Sequence, residues 1–124
     1  MTDKKKILII DDDRPLAQLF AMQLREAGYF TVLAQDAIQG LMLAKRERPD
    51  LVLLDINMPA GGGMSLLDKL GTSVNTQNVP VVIITAVTDS KIAAEALAKG
   101  AKAVLHKPVN KETLLAQAAA ALSG

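Results

Sequence analysis

The stretch Ile7-Leu8-Ile9-Ile10-Asp11-Asp12-Asp13 places three carboxylates directly after four consecutive aliphatic residues. The same arrangement recurs at Leu51-Val52-Leu53-Leu54, which is followed by Asp55. Short runs of Ile, Leu and Val are typical of strands that are buried on both faces of a parallel sheet. Because the carboxyl ends of parallel strands emerge at one edge, Asp11, Asp12 and Asp55 can meet there if the two strands are neighbours.

A carboxylate cluster of this kind requires charge compensation. Three carboxylates about 5 Å apart would repel each other by roughly 3 kcal/mol per pair at an effective dielectric near 20. A divalent cation relieves that repulsion, and an all-oxygen ligand set favours Mg²⁺ or a similarly hard ion. The sequence therefore predicts a Mg²⁺ site at this edge of the sheet.

Length and composition restrict the class of protein. The chain has 124 residues, half of them apolar, and its only aromatic residues are Phe20, Tyr29 and Phe30. One domain with an aliphatic core is expected. The absence of cysteine excludes disulfides, thiolate metal sites and cysteine nucleophiles.

The charge pattern and the first residues bear on location and partners. The formal net charge is +1, with acidic and basic residues interspersed, so no basic surface for nucleic acid or for a membrane is predicted. Residues 1–6 lack the apolar stretch of a signal peptide, and no run approaches membrane-spanning length. We expect a cytoplasmic, soluble domain with no direct nucleic-acid binding and no membrane association.

Strand and helix patterns alternate five times along the chain. Apolar runs predict strands at Ile7–Ile10, Thr31–Ala34, Leu51–Leu54, Val81–Thr85 and Ala103–Leu105. Between and after them, apolar residues recur with helical spacing, and the helices are expected to end before Gly28, Pro49, Gly71 and Gly100. This alternation predicts an α/β fold with a parallel sheet and right-handed crossovers.

Two further polar residues are expected at the same edge of the sheet. Thr85 ends the fourth predicted strand, and Lys107 follows the fifth, in His106-Lys107-Pro108. Either residue alone would be an ordinary strand-end residue. Together with the carboxylates, they form the set that phosphoryl transfer uses: an Asp nucleophile, a metal, and donors for the phosphoryl oxygens.

Some nearby residues have simpler interpretations. Asp13, beside Pro15, is expected to cap the first helix. Gly61–Gly63 is interpreted as a mobile turn, and Gly71–Asn78 as a loop. His106 is expected to be a partly exposed residue at a strand end rather than a phosphoryl relay.

The full set resembles the signature of the response-regulator receiver domain of two-component signal transduction, in the CheY-like superfamily. It consists of Asp11-Asp12, Asp55 followed by Met58-Pro59, Thr85-Ala86 and Lys107-Pro108. The resemblance covers essentially the whole chain. It implies a (βα)5 flavodoxin-like three-layer sandwich with strand order 2-1-3-4-5. Residues 1–124 would then form a single receiver domain with no output domain.

The resemblance also implies a role for each site residue. Asp55 is the expected phosphoacceptor, receiving its phosphoryl group from a sensor histidine kinase or a histidine phosphotransfer protein. Asp12 and Asp55 would bind Mg²⁺ directly, Asp11 through water, and Asn57 through its backbone carbonyl. Thr85 and Lys107 would contact the phosphoryl group, and the Lys107-Pro108 bond is expected to be cis. Such a domain catalyses only its own phosphorylation and dephosphorylation.

Two departures from the family pattern affect signalling. Val104 occupies the position where receivers usually carry an aromatic residue that moves with the threonine, and a valine side chain is short and stiff. Residues 117–121, Gln-Ala-Ala-Ala-Ala, replace the basic residues that transcription-factor receivers commonly use in a dimer interface. We expect a monomer or weak dimer whose output is a separate protein, bound through the fourth helix, fifth strand and fifth helix, unless the chain is a fragment.

Two other classes of protein remain as alternatives. A haloacid-dehalogenase phosphatase also uses an Asp nucleophile and Mg²⁺ at a strand end, but it normally has a second acid where this chain has Asn57. An interaction module that works without phosphorylation would keep the fold and lose acceptor residues, and none is lost here.

Overall fold

The computed structural model describes residues 4–59 and 62–123, and in these ranges five strands alternate with five helices. The strands are β1 (Lys6–Ile10), β2 (Phe30–Ala34), β3 (Leu51–Leu54), β4 (Val81–Thr85) and β5 (Ala103–His106). The helices are α1 (Arg14–Glu26), α2 (Ala37–Glu47), α3 (Gly62–Thr72), α4 (Ser90–Ala98) and α5 (Lys111–Ser123). Among these described helices, none combines the length and the apolar character needed to cross a membrane.

All strand pairs are parallel, and the sheet order is β2-β1-β3-β4-β5. The predicted flavodoxin-like topology is therefore confirmed. In this order β1 and β3 are neighbours, with Ile10 opposite Leu54. Since Asp11 and Asp55 directly follow these two residues, the register brings their side chains to one edge. The Asp55 N–H donates to the Ile10 carbonyl at 2.9 Å, which extends the β1–β3 pairing to Asp55.

The sheet separates two hydrophobic cores. Alternate residues of the strands point to opposite faces, as the pleat of a strand requires. Leu8, Ile10, Val52, Leu54 and Ile83 pack in one core with residues of α2, α3 and α4. The opposite core combines the other strand face with α1 and α5, and its buried members are Ile7, Ile9, Ala17, Phe20, Ala21, Leu24, Leu51, Leu53, Val82, Ile84, Leu114 and Ala118. Both cores are almost entirely aliphatic, in agreement with the composition.

Polar caps and glycines set the ends of several helices. Asp13 caps α1, as predicted: its carboxylate accepts from the Leu16 N–H at 3.1 Å. Asp36 caps α2 in the same manner. Gly28 follows α1 with φ +102°, and Gly100 follows α4 with φ +106°. These backbone conformations suit glycine because it has no Cβ.

The third helix differs from the sequence prediction at both ends. The interpretation of Gly62 and Gly63 as part of a turn is wrong, because both lie in the first turn of α3; Gly61 lies outside the described residues. The predicted loop from Gly71 is also too long, since α3 continues to Thr72. Burial of Leu66, Leu67 and Leu70 in the core explains the difference, because tertiary packing outweighs the low helix propensity of glycine.

Candidate functional site

Three carboxylates meet at the carboxyl edge of the sheet. Asp11 and Asp55 are buried, with 3% and 6% of their surface exposed, whereas Asp12 is exposed. One carboxylate oxygen from each of the three lies within 4.8 Å of the others. The structure therefore brings Asp11, Asp12 and Asp55 together as the strand pattern predicted.

Backbone amides orient the two buried carboxylates. The Asp13 N–H donates to Oδ1 of Asp11 at 2.9 Å, and the Asn57 N–H donates to Oδ1 of Asp55 at the same distance. In both cases an aspartate accepts from the amide two residues later, which is the geometry of an Asx-turn. Each carboxylate is thus held by its own turn, and its Oδ2 atom is directed to another donor.

That donor is Lys107 in both cases. Its ammonium nitrogen lies 3.0 Å from Oδ2 of Asp11 and 3.2 Å from Oδ2 of Asp55. The lysine side chain is only 16% exposed. Its backbone N–H donates to the Thr85 carbonyl at 2.8 Å, and the Lys107-Pro108 bond is cis, as expected. The ammonium group therefore bridges the end of β5 to the ends of β1 and β3.

Burial and pairing shift the pKa values of this group of side chains. Burial raises the pKa of Asp11 by more than the hydrogen bonds from the Asp13 N–H and Lys107 lower it. Burial alone would lower the pKa of Lys107, but the hydrogen bond to Asp11 and the charges of Asp11 and Asp55 raise it above its usual value. Lys107 is consequently a permanent cation at neutral pH.

Thr85 lies at the same edge, and its hydroxyl is tied to the loop that follows. Thr85 is buried, and Oγ1 accepts from the Val87 N–H at 3.1 Å. Nδ1 of His106 lies 3.1 Å from the Val87 carbonyl oxygen. Because a carbonyl oxygen only accepts, Nδ1 carries the proton in this contact. The link from His106 to this loop was not foreseen from the sequence. His106 ends a strand as expected, but it is exposed rather than partly exposed.

The residues present fit a hard divalent cation. Three carboxylates and one ammonium leave a formal charge of −2, and every candidate ligand atom is oxygen, as Mg²⁺ prefers. Asn57 is exposed and follows Asp55 by two residues, while its own N–H already orients the Asp55 carboxylate. A direct metal contact from the Asn57 carbonyl stays a prediction.

A family model described as the response regulator receiver domain matches residues 7–119. The chain belongs to this family. A receiver domain is a signalling domain of two-component systems rather than a classical enzyme, and a histidine kinase is the partner that membership implies. The haloacid-dehalogenase alternative is not the family that matches.

Curated relatives and solved structures agree with this assignment. The receiver is 36% identical over 121 residues to the DNA-binding response regulator MtrA of Mycobacterium tuberculosis, covering 98% of this chain and 52% of MtrA. It is 34% identical to Protein PilH of Pseudomonas aeruginosa, covering 96% of this chain and 98% of PilH. A CheY-like receiver domain protein from Methanospirillum hungatei superposes with TM-score 0.91 at 30% identity, covering 98% and 95% of the two chains.

The comparisons differ in how much of each relative is matched. The receiver spans about half the length of MtrA and almost the whole of PilH. Since MtrA is named as a DNA-binding regulator, the expectation of no direct nucleic-acid binding finds no support among the relatives.

Proposed function

We propose that this receiver accepts a phosphoryl group on Asp55 from the phosphohistidine of a sensor histidine kinase or a histidine phosphotransfer protein. One observation carries the proposal: the Asp55 carboxylate lies at the end of β3, and within residues 4–59 and 62–123 each of its oxygens has one protein donor, the Asn57 N–H and Lys107. A carboxylate held in this way is oriented but still able to attack.

The transfer step follows from these contacts. An Asp55 oxygen attacks the phosphorus of the phosphohistidine, the phosphorus–nitrogen bond breaks, and its electron pair stays on the imidazole ring. The product is an acyl phosphate on Asp55. Lys107 would neutralise the added negative charge, and the Thr85 hydroxyl, which accepts from the Val87 N–H, still has its own proton to donate to a phosphoryl oxygen.

A Mg²⁺ ion would be held by Asp12 and Asp55 directly, by Asp11 through water and by the Asn57 carbonyl. When bound, the ion neutralises charge on the phosphoryl oxygens. The protein's own contribution is to keep the three carboxylates within 4.8 Å of one another before any ion arrives. The two Asx-turns and Lys107 hold Asp11 and Asp55, and Asp12 adjoins Asp11 in the chain.

The same groups account for self-dephosphorylation. A water oxygen attacks the phosphorus, the bond to the Asp55 oxygen breaks, and inorganic phosphate leaves. The receiver thereby catalyses only its own phosphorylation and dephosphorylation.

Residues 1–124 act as a single cytoplasmic receiver domain, a monomer or weak dimer, that changes a protein-binding surface on α4, β5 and α5.

Replacing Asp55 with Asn tests the acceptor. An amide is not a competent nucleophile, so Asp55→Asn should incorporate no phosphoryl group from acetyl phosphate and Mg²⁺. Asp68→Asn, which removes an exposed carboxylate on α3, should label like the parent protein. Intact-mass spectrometry before and after acid treatment provides the measurement. Undiminished, acid-labile labelling of Asp55→Asn would move the acceptor to another carboxylate.

A further inference from the structure

A groove with a volume of about 400 Å³ lies between α2 and α3, outside the Asp55 site. Its lining includes Ile38, Leu41, Met42 and Lys45 on α2, and Ser65, Leu66 and Lys69 on α3. On α2 these positions follow the spacing i, i+3, i+4, i+7, so they form one continuous face of the helix. We name this surface the α2–α3 groove.

The apolar part of the α2–α3 groove is unusually exposed. Ile38 is 85% exposed and Met42 is 50% exposed, and both are among the large hydrophobic residues left on the surface. Leu66 at the base is buried in the core. A rigid base with an exposed apolar rim is the form of surface that receives an apolar ridge from another molecule.

Two lysines mark one end of the α2–α3 groove. Lys45 and Lys69 lie in the last turns of α2 and α3. Within residues 4–59 and 62–123 neither forms an ion pair. The nearest acids along the chain are already engaged, since Glu47 pairs with Lys6 and Asp68 pairs with Lys99. The positive charge at this end is therefore available to an incoming acid.

We infer that the α2–α3 groove binds an amphipathic helix of a partner protein, with an apolar ridge followed by acidic residues. Ile38 and Lys45 are seven residues apart, which corresponds to about 10.5 Å or two helical turns. A third helix can pack into the groove between two others by fitting its side-chain ridge between theirs. Acids one turn beyond its apolar ridge then reach Lys45 and Lys69.

The lysine end of this surface lies away from the Asp55 site. Because α2 and α3 run back from the carboxyl edge of the sheet, Lys45 and Lys69 lie toward the edge opposite Asp11 and Asp55. The α2–α3 groove also lies apart from α4, β5 and α5.

The test uses a synthetic helical peptide and the isotopically labelled chain. The peptide has about 16 residues, with leucines at helical spacing and glutamates in the next turn; a matched peptide carries lysines instead. Amide shifts should be confined to α2 and α3, and the glutamate peptide should bind about tenfold more tightly or better. Ile38→Ser and Lys45→Glu should each weaken that binding about tenfold, whereas Lys91→Glu on α4 should leave it unchanged.

Phosphorylation by acetyl phosphate serves as the fold control, because none of these substitutions touches Asp55. Equal affinity for the two peptides, or amide shifts outside α2 and α3, would overturn the inference. If the chain self-associates and Ile38→Ser abolishes the self-association, the groove binds a second copy of the chain instead. If the chain co-sediments with phosphatidylserine vesicles and Lys45→Glu abolishes the co-sedimentation, the groove binds a membrane surface instead.

Discussion

A single ammonium group, Nζ of Lys107, serves two buried carboxylates at the same time. Hydrogen bonds to charged groups contribute about 1.5–3 kcal/mol each. Two carboxylates that face each other without a cation between them would repel strongly in a partly buried site. Lys107 therefore stabilises the pair of buried carboxylates, in addition to the phosphoryl contact that we propose for it.

Removing this ammonium group should destabilise the metal-free protein. Lys107→Met keeps most of the side-chain volume but leaves Asp11 and Asp55 without their shared donor. We expect a decrease of about 1.5–3 kcal/mol in the free energy of unfolding, measured by urea denaturation. Millimolar Mg²⁺ should restore part of the loss. The control Lys102→Met, at an exposed lysine, should change the free energy of unfolding by less than about 0.5 kcal/mol. Equal effects of the two substitutions would show that Lys107 does not stabilise the buried carboxylates.

Asp12 differs from Lys107 in its effect on the metal-free site. It is exposed, and its carboxylate adds a third negative charge to the site instead of neutralising charge. Asp12→Ala should weaken Mg²⁺ binding by about tenfold or more, which corresponds to about 1.4 kcal/mol. The same substitution should leave the metal-free protein as stable as before, or more stable by up to about 1 kcal/mol, since repulsion is relieved. Amide shifts during a Mg²⁺ titration give the affinity. Identical titrations of Asp12→Ala and the parent protein would remove Asp12 from the ligand set.

The N-terminus of α3 is held tightly against the segment that follows β3. A Cβ on Gly63 would lie closer to the Ile56 carbonyl oxygen than non-bonded atoms can approach. The absence of a side chain at Gly63 thus lets α3 begin directly beside the residues that orient Asp55. The acceptor turn is positioned by a helix as well as by its strand.

Two glycines of α3 allow a matched comparison. Gly63→Ala should decrease the free energy of unfolding by about 1–3 kcal/mol, because backbone atoms must move. Gly71→Ala should increase it by about 0.5–1 kcal/mol, since its Cβ would be 3.8 Å from the nearest atom, the Lys99 carbonyl oxygen. Urea denaturation of both variants measures the difference. If both substitutions stabilise the protein, the close approach at Ile56 is not a constraint.

The loop between β4 and α4 is the expected moving part of the switch. The Thr85 hydroxyl accepts a hydrogen bond from the Val87 N–H, and Nδ1 of His106 donates one to the Val87 carbonyl. If the hydroxyl moves away, Val87 loses the first of these two hydrogen bonds. Val104, half-buried against the core, has a stiff side chain and cannot follow by rotation. Such a loop can shift between states with modest local bias.

A beryllofluoride adduct, which mimics a phosphoryl group on Asp55, should therefore change amide shifts mainly in residues 86–90. Thr85→Ala should lose this response, and Thr85→Ser, which keeps the hydroxyl, should retain most of it. Little rotamer change is expected at Val104. A full exchange of Val104 between buried and exposed positions, with residues 86–90 unchanged, would show that the switch works differently.

Across the whole molecule, the elements made of apolar runs could be predicted well. β3 and β4 have the predicted bounds, and the other strands differ by one residue at one end. Such runs encode burial on both faces of the sheet, which depends little on distant contacts. The carboxylate cluster could be predicted only on the condition that β1 and β3 are neighbours, and that strand order came from the resemblance to receiver domains.

Features that depend on tertiary positions could not be predicted. The length of α3 is decided by the packing of its leucines, and the approach of Gly63 to Ile56 requires knowing where two segments meet. The contact between His106 and Val87 depends on the path of a loop. The exposure of Ile38 depends on how α2 rotates about its axis, and helical spacing alone leaves that rotation open.

The position of β1 between β2 and β3 has a consequence during synthesis. Ile7 pairs with both Thr31 and Leu51, so its second neighbour leaves the ribosome 44 residues (51 − 7) after Ile7 does. At about 5–20 residues per second, the nascent chain carries this aliphatic strand with at least one edge uncovered for roughly 2–9 s. Ile7–Ile10 is therefore the segment that a chaperone would shield first, and slower translation before residue 51 should increase aggregation.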